Sequence, residues 1–120
     1  MDAASSRSHR TAVAGTAAAL VLVHLAALYA PSVGIEGPVA WTDKVVHLLL
    51  FAAPTYAVGL ALRSVAPAVV AFALHAPVSE LVQYAFLPHR SGDVWDAVLD
   101  LVGVSVGAGL LMVRRRRPDW

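Results

Sequence analysis

The chain has 120 residues, of which 58% are hydrophobic and only 14% are charged, with a formal net charge of +1 and a mean hydropathy of +0.68. A soluble domain carries roughly a quarter charged residues and cannot bury most of its side chains at this length. The composition therefore excludes an ordinary soluble domain and predicts one small membrane domain. The sequence contains no cysteine, so a metal would need His, Asp or Glu ligands.

The N-terminal part of the chain predicts a polar tail followed by a first membrane span. Residues 1–10 are polar and basic, and we expect them to form a short cytoplasmic tail without regular structure. The apolar run that follows can cross a ~30 Å hydrocarbon layer, which places the first span at about residues 11–31. A cleaved signal peptide is the alternative, but this run is longer than the apolar region of a signal peptide and lacks a clean Ala-x-Ala ending.

Three more apolar runs predict further spans at about residues 43–62, 65–87 and 96–113. Only Arg63 and Ser64 separate the second span from the third, so these two helices must be antiparallel. The stretch from Pro88 to Trp95 is predicted to be a loop. Four arginines end the last span and begin a basic cytoplasmic tail, residues 114–120. The sequence thus predicts an all-α fold, a single four-helix transmembrane bundle over residues 11–113 with short extracytoplasmic and cytoplasmic loops.

The distribution of basic residues predicts the orientation of this bundle. With both termini in the cytoplasm, seven of the nine basic residues lie inside and only Lys44 and Arg90 lie outside. The positive-inside rule therefore favours an N-in, C-in arrangement in the cytoplasmic membrane. Residues Arg114–Arg117 fit contact with anionic lipid, whereas nucleic-acid binding is a poor interpretation beside a membrane span.

Three of the predicted helices each carry a polar pair at a similar depth below the outer membrane face. The members of a pair are three or four residues apart and so share one helix face. An ionised residue deep in a bilayer costs roughly 2.5–3.5 kcal/mol, so we expect the pairs to face one another rather than lipid. This predicts an acid-rich pocket that opens to the outer face. The pairs are Asp43 with His47, Glu80 with Gln83, and Asp96 with Asp100.

These residue types fit two kinds of chemistry, acid–base catalysis and cation binding. A third interpretation is a structural role without any chemistry. Glu80, His47 and Asp96 are the candidate catalytic residues, with a protonated Glu80 acting as a general acid beside His47. The same three residues are also a candidate site for a divalent cation, whose shell a lipid phosphate or water would complete. Alternatively, the cluster only locks the helices in register. The remaining candidate ligand-binding residues are Asp43, Lys44, Gln83, Arg90, Asp93 and Asp100.

The residues outside this pocket suggest packing roles. Ser79 is an unattractive nucleophile, because a serine on a membrane helix usually bonds back to its own turn. His24 and His75 are single polar residues on apolar helices, and we expect each to be hydrogen-bonded to a neighbour. Pro54 lacks the backbone N–H that would pair with the carbonyl of Leu50, so that oxygen needs another donor.

The order and spacing of these residues resemble the VanZ-like family of small bacterial integral membrane proteins. The resemblance covers about residues 41–110, with one departure, since the family usually has Asn where this chain has Asp100. It implies a multi-pass protein of the bacterial cytoplasmic membrane, related to a factor for teicoplanin resistance. The motifs are Asp43-Lys44-x-x-His47-x-x-x-Phe51, Ser79-Glu80-x-x-Gln83, Arg90-x-x-Asp93-x-x-Asp96 and Gly103-x-x-x-Gly107.

Together, the residues and the resemblance predict a cell-envelope protein that engages a lipid-linked or wall-derived ligand and affects glycopeptide susceptibility. Whether it is an enzyme stays open. One alternative is a structural or assembly protein whose polar cluster only holds the helices together. Another is a proton-coupled small transporter, which the sequence disfavours because the inner halves of the predicted spans offer only His24 and His75 as polar relays.

Overall fold

Four α-helices account for almost all of the chain that the structure describes. In this computed structural model the described residues are 2–29, 42–87 and 94–117, with Asp43 described by its backbone only. Each helix contains a stretch that is long and apolar enough to cross a membrane. The predicted all-α, four-helix architecture is confirmed, and the chain has the features of a multi-pass membrane protein. The helices are α1 (Ala3–Tyr29), α2 (Thr42–Leu62), α3 (Val65–Phe86) and α4 (Val94–Arg115).

The N-terminal boundary differs from the prediction. We expected residues 1–10 to lack regular structure, but α1 begins at Ala3. The side chain of Asp2 accepts a hydrogen bond from the backbone N–H of Ser5 at 2.7 Å, which caps the first turn. Asp is among the preferred residues at this position, so the capping signal was present in the sequence.

The fourth helix is also longer than predicted. It begins at Val94, so Trp95 belongs to the helix and not to the preceding loop. It ends at Arg115, so the first two arginines of the basic run are helical. Arginine has a high helix propensity, and cations near a helix C-terminus interact favourably with the helix dipole. The observed bounds of α2 and α3 lie within one residue of the predicted ones.

Contacts between the helices give their directions. Gly103 of α4 packs against Leu48 of α2, and Gly59 of α2 against Leu111 of α4, so these two helices are parallel. Gly59, near the end of α2, lies against Ala68, near the start of α3. His47, near the start of α2, lies near Glu80 toward the end of α3, so α2 and α3 are antiparallel.

Helices α1 and α3 are parallel to each other, because His24 contacts His75 and Leu28 contacts Gln83. The start of α1, the turn between α2 and α3, and the end of α4 consequently share one end of the bundle. We call this the basic end, because it carries Arg63 and Arg114–Arg117. The opposite end is called the acidic end.

Helix α2 is the centre of the bundle. Among the described residues α2 and α3 each pack against all three other helices, but the contacts of α2 are the most extensive, and α1 and α4 do not pack against each other. A Cβ atom at Gly103 would overlap the carbonyl oxygen of Leu48, and one at Gly107 would lie 2.5 Å from the carbonyl oxygen of Ala52. The predicted close approach at the Gly-x-x-x-Gly stripe is therefore real, and its partner is α2.

The turn between α2 and α3 is as tight as the sequence predicted. The backbone N–H of Ser64 donates to the carbonyl of Gly59 at 3.1 Å, and that of Arg63 donates to Leu60 at 3.2 Å. This pattern is a Schellman motif, in which the residue after the helix takes a left-handed conformation. Arg63 does so, with φ of 53°. The reversal therefore satisfies two carbonyls of the last turn of α2, those of Gly59 and Leu60.

The distribution of side chains is the reverse of that in a soluble bundle. Large apolar residues such as Leu22, Leu74 and Leu81 are each at least 65% exposed. The apolar core is small and contains Phe51, Phe72 and Leu28 among others. Exposed apolar faces of this kind fit contact with membrane lipid. Among the described residues, eight polar ones are buried inside, namely His24, His47, Thr55, Ser79, Glu80, Gln83, Asp96 and Asp100.

Candidate functional site

A cluster of charged and polar side chains from three helices lies near the acidic end of the bundle. His47 of α2 is its centre and is almost fully buried. Its Nδ1 atom lies 2.8 Å from Oδ1 of Asp100 and 3.9 Å from Oε1 of Glu80. Its Nε2 atom lies 3.7 Å from Oδ2 of Asp96. The two nitrogens of one imidazole ring thus face carboxylates from α3 and α4.

A lysine completes this cluster on the side of Asp96. The ammonium group of Lys44, one turn before His47 on α2, forms an ion pair with Oδ1 of Asp96. The other oxygen of the same carboxylate faces the imidazole. Asp96 therefore bridges two residues of α2, and we call Lys44, His47, Glu80, Asp96 and Asp100 the acidic-end cluster.

Three members of the cluster lie at a similar depth below the ends of their helices, as the sequence predicted. His47 is five residues from the start of α2, and Glu80 is six from the end of α3. Asp100 is six residues from the start of α4. At 1.5 Å per residue these positions are about 8–9 Å below the helix ends. Because His47 and Asp100 lie at the same depth on helix faces that meet, they are in contact although 53 positions separate them in the sequence.

The group of residues that could hold a cation differs from the one predicted. Ligand atoms of His47, Glu80 and Asp100 lie within 4.8 Å of one another, and all three residues are buried. The predicted third ligand, Asp96, instead faces the other ring nitrogen and pairs with Lys44. A cation bound through Nδ1 would displace the hydrogen bond between His47 and Asp100. Metal binding through Nδ1 and the hydrogen bond to Asp100 would therefore be mutually exclusive, since both need the same lone pairs.

Gln83 and Ser79 are buried, but their observed hydrogen bonds are structural. The side-chain amide of Gln83 donates to the carbonyl of Leu28 at 2.7 Å, which ties α3 to the last turn of α1. The hydroxyl of Ser79 donates to the carbonyl of Ala76 at 2.9 Å, within its own helix. The second contact is the one expected for a serine on a membrane helix. Gln83, predicted as a ligand-binding residue, here supports the wall of the site.

Three further predicted ligand-binding residues lie outside the part that the structure describes. Arg90 and Asp93 belong to residues 88–93, and the side chain of Asp43 is likewise not among the described ones. Their assignment to the pocket stays a prediction. The described members of the site are therefore the acidic-end cluster and Gln83.

A second polar group, which sequence reasoning did not assemble, lies deeper in the bundle. Nε2 of His24 on α1 lies 2.9 Å from Nδ1 of His75 on α3. The hydroxyl of Tyr29 lies 2.6 Å from the other nitrogen of His75. Nδ1 of His24 lies 2.7 Å from the carbonyl oxygen of Leu50. The predicted hydrogen bond of each histidine to a neighbour is confirmed. The two histidines bond to each other, so they belong to one hydrogen-bonded chain of side chains.

The Leu50 carbonyl determines the direction of this hydrogen-bonded chain. A carbonyl oxygen only accepts, so Nδ1 of His24 carries the hydrogen and, in the neutral ring, Nε2 accepts. His75 must then donate from Nδ1 and accept at Nε2, where Tyr29 donates its hydroxyl hydrogen. With both rings neutral, every one of the three contacts has one donor and one acceptor. The chain ends at a backbone carbonyl, which cannot pass a proton on.

Pro54 explains why this series of hydrogen bonds ends at the carbonyl of Leu50. A residue with a backbone N–H at position 54 would donate to the carbonyl of Leu50, and proline cannot. The sequence therefore predicted an unsatisfied acceptor, and the structure identifies its donor as His24. The His24 ring also makes edge contacts with Phe51 and Phe72, with ring centroids 4.7 and 5.3 Å apart.

The position of His24 corrects one inference from the sequence. We assigned His24 to the inner half of its span, but it lies only five residues from the end of α1 near the acidic end. His75 lies at about the middle of α3. Both histidines therefore lie between the acidic-end cluster and about the middle of the bundle, and the proton-coupled transporter stays an alternative.

Comparisons with known proteins identify no relative of this chain. No protein-family model, curated protein or solved structure matches the chain. The resemblance to the VanZ-like family therefore depends on the order and spacing of the motif residues alone.

Proposed function

We propose that this chain is a VanZ-like protein of the bacterial cell envelope whose acidic-end cluster engages a lipid-linked or wall-derived ligand and thereby affects glycopeptide susceptibility. The observation that supports this proposal most is the convergence of His47, Glu80, Asp96 and Asp100 from three helices. Buried ionisable residues are rare within membrane spans, and they usually mark a functional site.

The chemistry of the cluster suggests how a phosphate-bearing ligand would bind. Three carboxylates repel a phosphate, whereas Lys44 and a divalent cation attract it. His47, Glu80 and Asp100 supply nitrogen and oxygen ligands of the types that Zn²⁺ and Mn²⁺ accept. A cation held there would present a positive charge toward the acidic end, where headgroups of the outer leaflet lie in the expected orientation. The protein residues would place that charge and exclude lipid chains from it.

A second candidate is a purely structural role for the same cluster. The ion pair of Lys44 with Asp96 and the contact of His47 with Asp100 connect α2 to α4 through complementary groups. Such contacts would lock the register of the bundle without any ligand. The two functions differ in what a conservative substitution does.

Isosteric substitutions separate these two functions. Glu80→Gln and Asp96→Asn remove charge and keep shape, so the binding proposal predicts loss of the effect on teicoplanin susceptibility with normal protein abundance and thermal stability. The matched control is Asp2→Asn, an exposed residue outside the cluster. Susceptibility should be measured in a host that expresses each variant, with membrane abundance quantified alongside. A parallel loss of stability and effect would favour the structural role instead.

A direct measurement tests the cation. Purified full-length protein should bind Zn²⁺ or Mn²⁺, measured by calorimetry, and Glu80→Gln should weaken the binding at least tenfold, in line with loss of one ligand. Absence of binding by both metals would contradict a role for a cation and leave Lys44 as the phosphate-binding group.

A further inference from the structure

Between α1 and α4 there is an open groove whose floor is α2. Because α1 and α4 pack on α2 but not on each other, the described helices leave this space uncovered. The groove has a volume of about 560 Å³. Its lining is almost entirely apolar and includes Val13, Leu20, Ala53, Tyr56, Val106 and Leu110.

The length of the groove matches one leaflet of a membrane. On α1 its lining extends from His9 to Leu20, and on α2 from Leu60 to Leu48. Eleven residues of α-helix rise about 16 Å, which is close to half of a ~30 Å hydrocarbon core. The groove therefore has about the length of an acyl chain. On α1 it starts at His9 near the basic end, and on α2 it reaches Leu48, next to His47.

At the basic end, the α4 side of the groove is followed in the sequence by arginines. Val106 and Leu110 line the groove on α4, and Arg114 and Arg117 follow at the same helical spacing. The backbone N–H of Arg117 donates to the carbonyl of Arg114 at 2.9 Å, which forms a turn directly after the end of α4. His9 of α1 lines the same end of the groove. Basic pockets between helices on the cytoplasmic side are the usual binding sites for anionic headgroups.

We propose that this groove binds one anionic phospholipid, with an acyl chain along the apolar lining and the phosphate beside Arg114, Arg117 and His9. The occupant follows from the combination of apolar lining, leaflet length and the arginines that follow the α4 side of the groove. The phosphate end of the site lies at the opposite end of the bundle from the acidic-end cluster, and the site does not depend on any function of that cluster. In the expected orientation the lipid belongs to the inner leaflet.

The test compares lipid retention by native mass spectrometry. Full-length protein in mild detergent is titrated with dioleoyl phosphatidylglycerol and, separately, with dioleoyl phosphatidylcholine. The wild type should retain one phosphatidylglycerol in preference to phosphatidylcholine. Arg114→Gln and Arg117→Gln should each reduce this preference roughly fivefold, because a basic residue near an anionic surface contributes that much. The matched control is Arg7→Gln, a basic residue near the same end of the bundle that lines a separate surface depression with Ala3 and Ser8.

A second variant tests the groove independently of charge. Ala53 is an exposed residue of the lining, and Ala53→Leu should fill the groove and abolish retention of the lipid. Ala71→Leu makes the same change on an exposed position of α3 outside the groove and should leave retention intact. Equal retention of the two lipids by the wild type, or unchanged retention by Ala53→Leu, would overturn the proposal.

A second copy of the chain is the competing occupant. The protein has no cysteine, so Ala53→Cys introduces a single thiol. Oxidation in a bilayer should leave this variant monomeric if lipid fills the groove. Efficient formation of a disulfide-linked dimer would instead identify the groove as a protein interface and overturn the lipid site.

Discussion

At the scale of single residues, the most informative position is Asp100, which is completely buried. Its Oδ1 atom lies 2.8 Å from Nδ1 of His47. An asparagine, which the resembled family usually has there, would keep an acceptor at this place and remove the negative charge. Asp100 is thus the position where the need for a hydrogen bond can be separated from the need for a charge.

We expect Asp100→Asn to retain the fold, with a change in unfolding free energy below about 1 kcal/mol, because its amide oxygen still accepts from His47. Asp100→Leu, which removes the acceptor, should cost about 1–3 kcal/mol by leaving a buried donor unsatisfied. Unfolding by sodium dodecyl sulfate titration measures both values. Equal losses for the two variants would show that the charge of Asp100, and not its hydrogen bond, stabilises the bundle.

The contact of His24 with the Leu50 carbonyl predicts a coupling to Pro54. His24→Leu leaves that carbonyl without its donor, whereas in a Pro54→Ala background the new backbone N–H of residue 54 can supply one. The cost of His24→Leu should therefore be smaller in the Pro54→Ala background, by about 0.5–2 kcal/mol in a double-mutant cycle. Unfolding of the four proteins under the same conditions gives the coupling energy. Strictly additive costs would refute the assigned direction of the hydrogen-bonded chain.

At the scale of the helices, the contact between α2 and α4 holds the site together. His47 and Lys44 are on one helix, and Asp96 and Asp100 are on the other. Farther along α4, Gly103 and Gly107 allow the two backbones to approach closely. The geometry of the acidic-end cluster consequently depends on small residues that carry no chemistry themselves.

Substitutions of Gly103 and Gly109 should distinguish the effect of close packing on stability from the effect of helix propensity. A methyl group at Gly103 would overlap the carbonyl of Leu48, so Gly103→Ala should destabilise the fold by about 1–3 kcal/mol. Gly109→Ala is the matched control on the same helix, because a Cβ there has no neighbour within 4 Å. It should be neutral or stabilising by up to about 1 kcal/mol, since alanine is the better helix former. Thermal unfolding in detergent measures the difference, and similar effects of the two substitutions would contradict the close contact.

At the scale of the whole molecule, charge and contact geometry give complementary information about topology. Parallel packing of α2 with α4 and antiparallel packing of α2 with α3 put the basic residues Arg63 and Arg114–Arg117 at one end. The bundle alone does not say which side of a membrane that end faces. The positive-inside rule predicts that it faces the cytoplasm.

Reporter fusions test this orientation. An enzyme reporter that is active only in the cytoplasm, fused after Arg63, should be active, and one fused after Arg90 should be inactive. The result follows from the excess of basic residues at the basic end. A reporter active only outside the cytoplasm serves as the reciprocal control at both positions. External activity after Arg63 would reverse the assigned sides of the acidic-end cluster and of the lipid groove.

The sequence by itself determined the number of helices, their approximate bounds and the shared depth of the polar residues. These features follow from local information, since the length of an apolar run, the three- or four-residue spacing of polar pairs and the rise of a helix are properties of the chain alone. The early start of α1 was also local, and the capping residue Asp2 was the signal that would have predicted it.

Only the tertiary structure decided which partners these residues take. It grouped the possible cation ligands of His47 and Glu80 with Asp100, whereas Asp96 faces the other ring nitrogen of His47. It also joined His24 to His75, which are 51 positions apart in the sequence. Such choices depend on the rotation and neighbours of each helix, which an apolar run of nearly uniform composition leaves undetermined. The acidic-end cluster was therefore predictable as a set of residues at one depth, whereas its pairing required the packed bundle.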